Sequence, residues 1–229
     1  MKTRVPCGCI VIAGFVSLCF GVPTIASAEW YIAGYGGLAV PENLGNAQIT
    51  QRFQRFGAVS EARVVDLDLV NSLAIGGKLG YYSQERKWLG VEADLYTSTP
   101  FMKQQIAIVG SPRSNPTLPT TFAAVVPGAH IRVNTLAINV LTRDKSTEHF
   151  QPYGGVGPAF FYVTSRDFPG EGEISMGLSL IGGGRYFFTE RFALFGEFKY
   201  NLAPIKFGGV SGNYTTQMFI GGFVFNLEQ

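Results

Sequence analysis

The sequence predicts an all-β fold: an eight-stranded antiparallel transmembrane β-barrel, with short periplasmic turns and longer extracellular loops. Period-two alternation is the first observation. After Arg191, Phe192, Leu194, Phe198 and Tyr200 share one face with Gly196, while Ala193, Phe195, Glu197, Lys199 and Asn201 share the other, which is the spacing of a strand. Repetition is the second, because several further runs of about ten residues alternate similarly, with aromatics near their ends. The third is the order of connections: long, short, long, short, intermediate, short, intermediate. With the N-terminus periplasmic, every longer loop then falls outside the cell. A lipocalin-like soluble barrel would keep its strongest apolar face inside, whereas here the face opposite the apolar one repeats ions that would need a reason for burial.

Met1 to Ala28 reads as a cleavable signal peptide. Lys2 and Arg4 precede a mostly apolar run, Ile10 to Val22, and Ala26, Ser27 and Ala28 offer small residues ahead of Glu29. Leu18, just before Cys19, is bulky where a lipoprotein signal carries a small residue. Residues 29–229 are expected to form one barrel domain. Cys7, Cys9 and Cys19 all lie within the signal, so the mature chain is expected to hold no disulfide, thiolate nucleophile or cysteine metal site. The signal also takes two of the 18 basic residues and none of the 16 acidic ones, leaving 16 of each. Such a balance gives no support to a nucleic-acid partner. No later run is long and apolar enough for a membrane helix, so insertion must be by strands.

The first strand is Trp30 to Val40, whose two leading aromatics suit an interfacial girdle. Pro41 to Asp68 is a long polar linker whose end, Ser60 to Asp68, can project as strand above the membrane. Val70 to Tyr82 and Trp88 to Thr97 alternate on either side of the polar turn Ser83 to Lys87 and form a hairpin. Ser98 to Pro127 is the second long linker; its five prolines argue against a membrane strand, although Gln105 to Val109 can extend a hairpin outside the bilayer. The fourth strand is Ile131 to Leu141, followed by a charged turn, Thr142 to His149. In the fifth, Phe150 to Thr164, Pro158 predicts a bulge or register irregularity. Ser165 to Gly172 is a loop, Ile174 to Phe187 the sixth strand, and Phe188 to Arg191 a short turn into the seventh. Leu202 to Gly212 is expected as a fourth loop and Tyr214 to Leu227 as the last strand.

If the more apolar face meets lipid, Lys78, Glu92, Asp94, Arg185, Glu197 and Lys199 point inward, three bases and three acids. A base facing lipid costs about 2 to 4 kcal/mol at the midplane, so an interior ionic network is expected instead. Lys78 and Glu92 lie equally far from the centre of the Ser83 to Lys87 turn, which predicts that they sit nearly opposite one another. Arg185 and Glu197 lie on neighbouring strands at unequal distances from their turn and need not pair directly. Eight strands enclose little more than the space side chains fill, so Tyr35, Tyr82, Tyr96 and Phe195 are expected to plug the bore with the network. Glycine, at 29 residues, is read as room for strand curvature and for large inward neighbours. The run Gly182, Gly183, Gly184 lacks the lysine and hydroxyl of a phosphate loop.

The start WYIAGYGG, the run LAIGGKLGYY, the PYGGVG run at Pro152 and RFALFGEFKYN at Arg191 together resemble the OmpA-like outer-membrane β-barrels, particularly the small porin-like ones without a peptidoglycan-binding domain. That resemblance implies an eight-stranded barrel in the cell outer membrane, inserted by the outer-membrane assembly machinery, with a charged interior and variable exposed loops. It implies no active site.

The leading functional expectation is a structural outer-membrane protein whose outer loops contact a surface ligand, with outer-membrane lipids and lipopolysaccharide around it. The alternative is a narrow channel for small solutes. A hydrolase resembling lipid A deacylases would need a nucleophile beside a histidine. Only His130 and His149 are available, and both read as interfacial polar residues, so no enzyme, cofactor or metal is expected.

Overall fold

The computed structural model describes residues 29–42, 45–50, 61–64, 68–110, 121–126, 128–147, 149–165, 167, 172–207 and 210–227. The expected signal peptide, Met1 to Ala28, lies outside them, as do parts of the two long linkers. Among the described residues fourteen strands form: β1 (Glu29–Pro41), β2 (Gly45–Thr50), β3 (Glu61–Val64), β4 (Leu69–Val70), β5 (Ser72–Tyr82), β6 (Leu89–Ser98), β7 (Phe101–Met102), β8 (Gln105–Gly110), β9 (Thr121–Val126), β10 (Ala129–Arg143), β11 (Phe150–Ser165), β12 (Glu173–Phe187), β13 (Phe192–Phe207) and β14 (Val210–Asn226).

Eight of these strands make an antiparallel barrel in the order β1, β5, β6, β10, β11, β12, β13, β14, and β14 pairs back to β1 from Tyr31↔Asn226 to Pro41↔Thr216. Closure is what lets a sheet sit in hydrocarbon, because it leaves no edge of unpaired backbone donors and acceptors. The links β5–β6, β10–β11 and β12–β13 are short and share one end with Glu29, while the longer links β1–β5, β6–β10 and β11–β12 lie at the other, together with the two-residue link β13–β14.

The outside of the wall is oily and the inside is not. Leu73, Ile75, Leu95, Met176 and Phe223 are exposed, whereas their inward neighbours Ala74, Asp94 and Val224 are buried. At the short-turn end the outward rings pair across strands, Trp30 with Tyr81 at 5.0 Å and Phe192 with Phe225 at 4.9 Å between centroids, as an interfacial girdle requires. Tyr31 does not join Trp30 there. Successive strand residues face opposite sides, and Tyr31 turns into the bore, 1% exposed.

Several expectations change. The linkers Pro41 to Asp68 and Ser98 to Pro127 are not wholly irregular: β2 pairs with the end of β14, β3 with β2, β8 with β3, and β9 with β8. They extend the sheet past the long-link end of the barrel, and the ladder satisfies backbone groups that a bare loop would leave to water. The expected loop Leu202 to Gly212 shrinks for the same reason, since β13 and β14 pair as far as Phe207↔Val210. Pro158 produces no bulge. Ala137 pairs with Ala159 and Val140 with Val156, the same register on both sides, because Pro158 faces outward and the neighbouring Gly157 lets β10 come close.

Glycine has two roles in this wall, and only one matches the expected need for interior room. At Gly157 a Cβ would lie 1.8 Å from the carbonyl oxygen of Ile138, whereas at the outward-facing Gly196 it would meet nothing within 4 Å. Gly157→Ala is therefore expected to destabilise the barrel by about 1–3 kcal/mol through overpacking. Gly196→Ala should stabilise it by about 0.4–1 kcal/mol, by restricting the unfolded chain. Urea unfolding of the two variants in lipid vesicles checks the contrast, and equal destabilisation would contradict it.

Candidate functional site

The bore is where polar chemistry collects, because every strand sends alternate residues into it and the bilayer excludes ions from the other face. β5 brings Lys78, β6 brings Glu92 and Asp94, β12 brings Arg185, and β13 brings Glu197 and Lys199; all six are buried. Lys78 Nζ lies 2.5 Å from Glu197 Oε2, 3.0 Å from Glu92 Oε1 and 3.8 Å from Asp94 Oδ2. Lys199 Nζ pairs with Asp94 Oδ2 and lies 3.7 Å from Glu197 Oε1. Arg185 Nη2 stands 3.7 Å from Glu92 Oε2.

The expected placement of Lys78 opposite Glu92 is corrected by the register. Tyr82 pairs with Gly90, so the turn is centred one residue later than Ser83 to Lys87 implies; Lys78 faces Asp94, and Gly80 faces Glu92. The contact with Glu92 is diagonal, within reach of a long lysine side chain. Arg185 faces Phe195 and Glu197 faces Gly183, so those two charges are offset along the ladder.

Tyrosine hydroxyls complete the layer. Tyr31 donates to Glu92 Oε2, Tyr35 to Asp94 Oδ1 and Tyr153 to Glu197 Oε2, each at 2.6 Å, and Lys199 Nζ donates to the Tyr35 hydroxyl at 2.9 Å. Each acid thus accepts one phenol and at least one cation, which offsets the desolvation of a buried charge. Arg185 is held among rings, its Cζ 4.0 Å from the centroid of Tyr31 and 4.7 Å from that of Tyr153, a favourable arrangement for a desolvated guanidinium. Sequence reasoning named Tyr35 for the bore but missed Tyr31 and Tyr153. Tyr31 shares its face with Tyr35, which was signal enough; Tyr153 was hidden by the glycines that blur the faces of β11.

A second charged group closes the short-turn end. Arg143 pairs with Glu29 through Nη2, Lys145 reaches the other oxygen of that carboxylate, and Arg143 Nε donates to the Lys87 carbonyl at 2.8 Å. Arg143 Cζ sits 3.6 Å above the ring of Tyr82. None of these charges was named from the sequence, since Glu29 and Arg143 are 114 residues apart and meet only once the barrel closes.

Within the layer, where Asn139 pairs with Glu92, and on its long-loop side, where Ser179 pairs with Asn201, are buried groups of another kind. Asn139, Ser179 and Asn201 are no more than 1% exposed, and Asn139 Nδ2 and Oδ1, Ser179 Oγ and Asn201 Oδ1 have no hydrogen-bond partner among the described residues. The histidines do not come together. His130 stands at the long-loop end, its Nδ1 3.2 Å from Asp167 Oδ2 and its ring beside Phe101, while His149 lies at the opposite end near Tyr186.

Comparison with known proteins agrees with this architecture. The family model of the outer membrane protein beta-barrel domain matches residues 13–226. Among solved structures, Neisserial surface protein A superposes with a TM-score of 0.55 at 13% identity, over 88% of this chain and 99% of that one. The outer membrane protein OprG from Pseudomonas aeruginosa gives 0.51 at 14% identity, over 89% and 97%. At such identities the likeness is one of fold. No curated protein matches the sequence.

Proposed function

The chain belongs to the outer membrane protein beta-barrel domain family, and from that premise we propose that it is a structural barrel of the outer membrane whose bore is shut and whose extracellular wall makes the contacts. The observation that carries this reading is the ionic layer: three acids and three bases with side chains at most 3% exposed, filling the middle of an eight-stranded bore. A bore of this size is filled by its own side chains. The extracellular ladder of β2, β3, β8 and β9 supports the second half of the proposal, because it offers a broad wall to a surface ligand. Lipopolysaccharide around the barrel and the outer-membrane assembly machinery are the partners that the setting implies. Within the family, the glycine and aromatic runs of the strands favour kinship with OmpA-like barrels.

A second reading, a narrow channel for small solutes, is favoured by the unpartnered polar atoms of Asn139, Ser179 and Asn201 inside the bore. Planar-bilayer recording separates the two readings. The purified, folded chain is expected to give no reproducible conductance steps, and liposomes containing it should be no more permeable to small solutes than empty ones. A stable, ion-selective step would replace the structural reading with the channel.

A further inference from the structure

We propose that the bore is sealed twice in series, and that the second seal, centred on Arg143 at the periplasmic mouth, stays shut when the ionic layer is opened. This rests on the closed-bore reading and adds to it a separate closure with its own anchors. Arg143 points inward from β10 with its side chain 4% exposed. Its Nη2 pairs with Glu29 on β1, its Nε donates to the Lys87 carbonyl, and its backbone N–H donates to the Trp88 carbonyl at 2.9 Å. None of these partners belongs to the six residues of the ionic layer. β1 and β10 are not neighbours in the wall, being separated on one side by β5 and β6, so the Glu29–Arg143 pair is a strut across part of the mouth. Lys145 holds the same carboxylate from the next turn.

Beneath that strut the aromatic rings continue the plug. The guanidinium of Arg143 lies on Tyr82, Tyr82 stacks on Tyr31 with centroids 5.8 Å apart and planes at 27°, and Arg185 Cζ lies 4.0 Å from the Tyr31 centroid. A planar guanidinium fixed by a carboxylate, a carbonyl and a ring face has little freedom to swing aside. The plug touches the ionic layer through the Tyr31 hydroxyl on Glu92 and through Arg185, and neither contact holds Arg143. Breaking up the ionic layer should therefore leave a vestibule open to the outside and closed to the periplasm.

The test compares four full-length chains in planar bilayers: wild type, Lys78→Ala with Glu197→Ala, Arg143→Ala, and all three changes together. Folding of each is checked first by its mobility on gels with and without heating, and Lys78→Met with Glu197→Gln replaces the alanine pair if that pair does not fold. The expected result is silence from the first three and discrete conductance steps from the combination. Steps from the ionic-layer variant as large as those from the combination would remove the second seal while leaving the closed wild-type bore in place. Steps from Arg143→Ala alone, or silence from a folded combination, would also overturn it. Conduction by the wild type would instead sink the closed-bore reading on which it rests.

Discussion

Truncating Glu92 to alanine is expected to destabilise the barrel by about 3–5 kcal/mol, the range seen when one partner of a buried ion pair is removed. Glu92 is fully buried, takes a hydrogen bond from Tyr31, and lies 3.0 Å from Lys78 Nζ and 3.7 Å from Arg185 Nη2. Its loss leaves two cations facing fewer acids in a site without bulk water, and strands the Tyr31 hydroxyl as an unpaired donor. The companion expectation concerns the pair. Replacing Lys78 and Glu92 together by methionine should cost clearly less than the sum of the single changes, because no uncompensated charge of the pair is left behind. Urea unfolding in lipid vesicles, followed by the fluorescence of Trp30 and Trp88, supplies all four corners of the cycle. Additive effects, or a Glu92→Ala change below about 1 kcal/mol, would mean that the layer is too hydrated to act as described.

The second large effect lies one residue from the network and on the other face. Leu95→Arg is expected to cost about 2–4 kcal/mol, the penalty for a base on the lipid face of a barrel near the midplane. Leu95 is 62% exposed near the middle of β6 and pairs with Leu136 on β10 and Gly77 on β5, whereas its chain neighbour Asp94 is 1% exposed. In a water-soluble barrel an arginine at so open a position would be close to neutral. The measurement is the same unfolding experiment in vesicles, and a neutral Leu95→Arg would mean that this face does not meet hydrocarbon.

The two predictions draw on different layers of information. Which side of the wall Leu95 and Asp94 face could be read from alternation alone, as it could for Lys78, Arg185, Glu197 and Lys199. The partners of those charges could not. A turn centre misjudged by one residue moved the residue opposite Lys78 from Glu92 to Asp94, because each step of the turn shifts the register by two. The faces of β11 were blurred by Gly154, Gly155 and Gly157, so Tyr153, which donates to Glu197, went unread. Pro158 carried a bulge signal that β11 does not follow, since an outward-facing proline beside a glycine keeps its register.

What the sequence determined by itself is a matter of period and punctuation: strands of two faces, ions on the inner one, short turns at one end, and a count of eight. Those properties are local, because each residue's side of a strand follows from the one before it. What only the tertiary structure decided is which distant residues share a layer: Lys78 with Glu197, Arg143 with Glu29, and Lys199 with Asp94. The wall returns to its first strand only after all eight staves have paired, so these contacts depend on every register around the ring at once.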